Sequence, residues 1–273
     1  MTKTFVTGSF DNLQAGQIRF LEAASKLGEV QVWLWSDESV RALTGQPPKF
    51  PAAERLYMLQ ANRYVSAAAI APAGVGLHAL PEAVEPRPAV WAVEIKDDDA
   101  QKRAYCETHG LGYCVLGMDT HQGFPEFKPP APSEATGRKR VIVTGCYDWF
   151  HSGHVRFFEE VSALGDLYVV AGSDQNVRLL KGEGHPLFPQ AERRYVIQSV
   201  RYVKQALISS GQGWMDAEPE IARIRPNIYA VNEDGDKPEK RAFCKQHGLD
   251  YVVLKRLPKP GLPRRQSTDL RGF

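Results

Sequence analysis

Cysteine is scarce. Among 273 residues there are four, Cys106, Cys114, Cys146 and Cys244, and none are spaced Cys-x-x-Cys. That argues against structural zinc and against a disulfide framework, and leaves reduced thiols in a cytoplasmic chain as the expectation. An excess of one charge is missing too. Lys and Arg total 34 against 32 Asp and Glu, which argues against a bulk nucleic-acid or anionic-membrane binder but not against a local phosphate site. No apolar run reaches the ~18–20 residues of a spanning helix. Met1 to Val6 leads directly into a strand, with no signal peptide visible.

What is present is concentrated at 141–157. Val141 to Thr144 is a β-branched run that reads as a short buried strand, and Gly145 breaks it. From about His151 the apolar positions Val155, Phe158, Val161 and Leu164 fall at helical spacing. His151 and His154 therefore stand nearly one turn apart at the start of a helix that follows a strand, so both imidazoles can face one side. Gly153 between them lets a ligand approach the backbone. Free N–H groups at a helix N-terminus favour phosphate, and imidazoles there can hydrogen-bond a phosphate that gains charge in a transition state.

The same element occurs earlier in the chain. Thr4 to Phe20 repeats it at an offset of 137 residues, with Gly8 against Gly145 and Asp11 against Asp148. After a one-residue shift, Phe50 to Tyr57 answers Phe188 to Tyr195, Arg63 answers Arg201, and Lys102 to Leu111 answers Lys240 to Leu249. Two copies of one domain are expected, at 1–127 and 139–273, joined by a proline-rich linker at 128–138. Within the second copy, strands at 141–145, 166–171, 205–209, 227–231 and 250–254 alternate with helices at 152–164, 174–180, 189–201, 216–223 and 237–247. This pattern predicts an α/β fold with a parallel sheet covered on both faces. Ligands of such sheets bind beyond the C-terminal ends of the strands. The His151 turn lies there, as does the polar segment 232–236 with Asn232 and Asp234.

The repeat contains its own control. Gln14 and Gln17 replace His151 and His154, Thr44 replaces Lys181, and Glu126 to Pro130 replaces Arg264 to Thr268. Side chains lost together from one copy are expected to form one site, carried by the other. Arg193 and Arg201 keep counterparts in Arg55 and Arg63, so packing explains them at least as well as ligand binding. His185 and His247 read as ordinary surface histidines.

The string from Cys146 to His154 resembles the His-x-Gly-His signature of the nucleotidylyltransferase superfamily. It is most similar to the cytidylyltransferases that act on glycerol phosphate, phosphocholine and phosphoethanolamine; the preceding Gly145 and Asp148 match as well. The resemblance implies two tandem Rossmann-like domains forming a pseudo-dimer or a homodimer-forming chain, the first catalytically silent. It implies transfer of CMP from CTP to a small phosphorylated alcohol, with Mg²⁺ held mainly by the nucleotide phosphates and no metal site of the protein's own. His151 and His154 would serve the α-phosphate and bridging oxygen. Lys181, with Arg264 or Arg265, would neutralise the leaving pyrophosphate, and Ser267 and Thr268 would hold the terminal phosphates. Gly145, Cys146, Tyr147, Asp148, Gly153, Arg201, Asn232 and Asp234 complete the expected nucleotide site, with Asp148 ordering the turn. Two alternatives stay open: an adenylyltransferase using ATP with a sugar-phosphate or cofactor-precursor acceptor, and a non-catalytic nucleotide-binding scaffold.

Overall fold

The computed structural model describes residues 2–72, 74–81, 89–117, 123–125 and 136–270. The chain divides into two compact units, Met1–Gln122 and Gly123–Phe273. Most of the expected linker, 128–135, lies outside the described residues. Residues 123–125 already belong to the second unit. The Phe124 ring packs 5.3 Å from that of Tyr195, and Arg194 donates to the Pro125 carbonyl.

In the first unit the elements are β1 (Lys3–Gly8), α1 (Ala15–Ser25), β2 (Glu29–Leu34), α2 (Asp37–Thr44), α3 (Ala52–Gln60), β3 (Val65–Ile70), β4 (Ala89–Glu94), α4 (Ala100–His109) and β5 (Gly112–Leu116). Among the described residues, the second unit repeats this order with one further helix, α8, as β6 (Arg140–Gly145), α5 (Ser152–Ser162), β7 (Asp166–Ala171), α6 (Asp174–Lys181), α7 (Gln190–Gln198), β8 (Val203–Ile208), α8 (Glu218–Ile224), β9 (Ile228–Asn232), α9 (Pro238–Gln246) and β10 (Asp250–Leu254). Each unit holds one five-stranded sheet, in the order β3-β2-β1-β4-β5 and, equivalently, β10-β9-β6-β7-β8. All the pairings are parallel, with Val141 opposite both Leu167 and Ile228.

Alternation along β6 explains why both faces are covered. Val141 and Val143 join Phe158, Val161 and Ile197 in one apolar cluster, while Ile142 joins Ile221, Tyr229 and Cys244 in another. Helices α5 and α7 thus pack on one face and α8 and α9 on the other. The strand order changes direction between β6 and β9, which opens a crevice at their C-terminal ends.

Two elements differ at one end from their sequence pattern. Helix α7 stops at Gln198, because Val200 reaches the core from a turn in which its N–H bonds the Ile197 carbonyl. Apolar spacing cannot distinguish such a turn from another helical residue. The start of α8 is displaced to Glu218 behind a single 3₁₀ turn, Gly213–Met215.

Candidate active site

A cavity of about 280 Å³ opens beyond β6 and β9 in the second unit. Its walls come from the turn after β6, the start of α5, the end of α6, the segment after β9, and the tail. The sequence makes the first turn in an unusual way. Tyr147 adopts a left-handed φ of 55°, and its counterpart Phe10 has a φ of 44°. Both aromatic rings fold back over the preceding glycine: a Cβ on Gly145 would stand 2.8 Å from the Tyr147 ring. Gly145 therefore makes room for an aromatic side chain, and the turn is scaffold common to both copies.

His151 and His154 are fixed by the helix they start. His151 is the N-cap of α5, and its Nδ1 accepts the Gly153 N–H at 3.1 Å. His154 reaches back, its Nδ1 accepting the His151 N–H at 3.4 Å. This is a reciprocal capping box built from imidazoles, where Ser and Glu are the usual pair. The rings stack at 3.9 Å, with Phe150 on the other side of His154. Gly153 is required by this packing, since a Cβ there would lie 2.9 Å from the His151 ring. At Gly16, the equivalent in the first unit, a Cβ would meet nothing within 4 Å. Gln14 at the cap of α1 makes no side-chain cap bond.

These bonds assign the tautomers. An Nδ1 that accepts carries no proton, so each neutral ring carries its N–H on Nε2. Burial, then the charges of Arg256 and Arg265, push His151 down to about 3. Burial, then His151, Arg256 and Lys181, push His154 well below the usual imidazole range. His151 Nε2 is buried and finds no partner among the described residues. Two neutral N–H donors thus sit together at a positively polarised helix start.

Other expected residues assemble around them. Lys181, the last residue of α6, lines the cavity from one side, and Asn232 and Asp234 line it from the other. Cys146 also lines it, with its thiol pKa raised by burial. Ser267 reaches the cavity and donates to the Trp149 carbonyl at 3.4 Å. Its expected helix start is a 3₁₀ turn, Ser267–Leu270, and the Thr268 side chain lies outside the described residues. Asp148 orders the turn. Its oxygens accept the N–H groups of Leu187 at 2.8 Å and Phe188 at 3.0 Å, tying the loop after α6 to the turn after β6.

Three placements differ from expectation. Arg201 is exposed in the turn that enters β8, at the opposite end of the sheet from the cavity, and does not line it. Arg264 and Arg265 line a narrow neighbouring cleft beside α5. The tail's cavity-lining guanidinium is that of Arg256, just past β10; it pairs with Asp234 and donates to the Arg265 carbonyl. His185 is no simple surface residue: its side chain is 18 % exposed, faces Asp148 and lines the cavity. Lys240 and Trp149 also escaped notice in the sequence. Lys240 donates to the Gly235 carbonyl, and burial lowers its ammonium pKa. The signal that could have found Arg256 and Lys240 was position, each lying close in sequence to the C-terminal end of a strand.

Arg193 is removed from the site by its bonds. It is buried and donates to the carbonyls of Phe188, Cys146 and Gly172 and to Asp174. Arg55 makes the equivalent set with Phe50, Ser9, Trp35 and Asp37.

Comparisons with known proteins give the family. The family model described as cytidylyltransferase-like matches twice in tandem, at residues 5–141 and 142–258. A FAD synthase from Ferroglobus placidus is 35% identical over 120 residues, 43% of this chain and 75% of that protein. The bifunctional protein HldE of Methylococcus capsulatus is 35% identical over 104 residues, 38% of this chain and 21% of that protein. A solved lipopolysaccharide core biosynthesis protein from Thermoplasma volcanium aligns with 44% of this chain and 98% of its own, at a TM-score of 0.39 and 23% identity. Among the described residues, no helix is long and apolar enough to cross a membrane. With two tandem matches spanning most of its length, the chain belongs to the cytidylyltransferase-like family of nucleotidyltransferases, in duplicate.

Proposed function

We propose that the second unit transfers a nucleotidyl group from a nucleoside triphosphate to a small phosphorylated acceptor, with release of pyrophosphate. The observation that carries this is the imidazole capping box, which presents two neutral Nε2–H donors beside Lys181 and Arg256. An acceptor phosphate oxygen attacks the α-phosphorus, the bond to the bridging oxygen breaks, and pyrophosphate leaves with that electron pair. The acceptor is already a nucleophile, so the side chains position and stabilise charge without removing a proton. His151 and His154 donate to the α-phosphate and bridging oxygen. Lys181 and Arg256 neutralise the leaving group, and Ser267 and Thr268 hold the terminal phosphates.

Mg²⁺ accompanies the triphosphate in this reading. Among the described residues no three His, Cys, Asp or Glu gather to hold a metal. Asp148 is engaged by the 187–188 backbone and Asp234 by Arg256. Such a donor set fits a cation carried mainly by phosphate oxygens, which would add positive charge where the leaving group forms.

For the base, the 146–154 string supports CTP with a phosphorylated alcohol. The second reading is ATP, supported by the FAD synthases, since FAD is an adenylyl group joined to a flavin phosphate; one from Pyrococcus horikoshii is 34% identical, the match covering 80% of its length. Pyrophosphate release, measured with each of the four triphosphates and Mg²⁺ against phosphorylated alcohols, sugar phosphates and a flavin phosphate, separates the two. His154→Ala should lower the rate by about 10²–10³, the usual cost of one charge-stabilising donor. An unchanged rate would overturn the mechanism, and triphosphate binding without release in any pairing would leave a scaffold.

A further inference from the structure

The Asp148 carboxylate has one more partner than its structural task requires. In the first unit, Asp11 fastens the equivalent loop with the same two backbone bonds, to Lys49 at 2.7 Å and Phe50 at 2.9 Å, and Pro47 stands where the second unit has His185. The loop is therefore held without a histidine. In the second unit, Asp148 keeps both backbone bonds and additionally lies 3.4 Å from His185 Nδ1. The ring is mostly buried and borders the same cavity as His151, His154 and Lys181. Like them, it is missing from the first copy.

We propose that His185 is a further phosphate-binding residue, gripping the pyrophosphate end of the triphosphate together with Lys181. The inference rests on the nucleotidyl-transfer reading. An imidazolium donates from both ring nitrogens. One ring can therefore answer Asp148 through Nδ1 and a phosphate oxygen through Nε2, the latter in a charge-assisted bond. Lys181 and His185 bracket one short glycine-containing segment, so a phosphate chain held by both would also order that segment. Asp148 is then the residue that orients His185, in addition to fastening the loop.

The test is calorimetric titration of the full-length protein with inorganic pyrophosphate and Mg²⁺, beside steady-state kinetics in which each substrate is varied. His185→Ala should weaken pyrophosphate binding and raise the triphosphate KM by about tenfold, the equivalent of one charged hydrogen bond. The acceptor KM should stay put, and His185→Arg should restore most of the loss. Unchanged pyrophosphate affinity with a lowered melting temperature would make His185 a clasp for the loop and overturn the proposal. So would a change confined to the acceptor KM. If the wild-type protein neither binds pyrophosphate nor releases it from any triphosphate, nucleotidyl transfer falls, and this inference with it.

Discussion

A histidine used as a helix cap has a protonation state set by the backbone it serves. The Nδ1 of His151 holds the Gly153 N–H, and burial disfavours charge, so the folded ring titrates near 3. An unfolded histidine titrates near ~6.5. Between these values the unfolded chain binds the extra proton, so this residue's contribution to stability is complete above about pH 6.5 and is lost as pH falls towards 3. Replacing it with the residue that the first copy carries, His151→Gln, should flatten that acid loss. Urea unfolding of both proteins at pH 4.5 and 7.5 checks this: the wild type should lose more stability between the two. Equal losses would mean that the ring is not buried neutral. The same cap explains what could be read from the chain. The spacing of His151, Gly153 and His154 placed them at a helix start. It could not reveal that Gly153 serves the His151 ring, because that contact depends on the fold of the cap.

At the level of elements, each unit is tied together by one buried arginine. Arg193 ties the loop before α7 to the ends of β6 and β7 through three carbonyls and Asp174. Removing the guanidinium leaves those acceptors without their donor inside the protein. Arg193→Met should therefore destabilise by roughly 3–5 kcal/mol, the range for breaking a buried charged network. Arg55→Met should cost a similar amount, because the bonds are equivalent. Chemical denaturation decides between this and a catalytic role; a stable Arg193→Met protein with no activity would contradict it. The strands and helices were legible because their apolar periods are clean, and the retention of Arg55 and Arg63 marked Arg193 and Arg201 as common to both copies. Arg256 was not legible. The family resemblance pointed to the basic pair at 264–265, whereas the guanidinium that lines the cavity is placed by pairing with Asp234 across the ends of β9 and β10.

Across the whole chain, the fold recurs, but the side chains that line the second unit's cavity recur only in part. Both sheets have one strand order, both turns carry a left-handed aromatic, and both loops are fastened by an aspartate. Only the second unit has the imidazole cap, and Thr44 in the first donates to the Val40 carbonyl where the second has Lys181. Scaffold and chemistry are therefore separable, and the first unit should bind no triphosphate. Titrating the intact chain, without acceptor, with whichever triphosphate supports turnover should give one site per chain. Gln14→His with Gln17→His should add no second site and no activity, because the Lys181, His185 and Arg256 equivalents would still be absent. A stoichiometry of two in the wild type, or binding that survives loss of His151, His154 and Lys181 together, would show that the first unit carries a nucleotide site built from different residues.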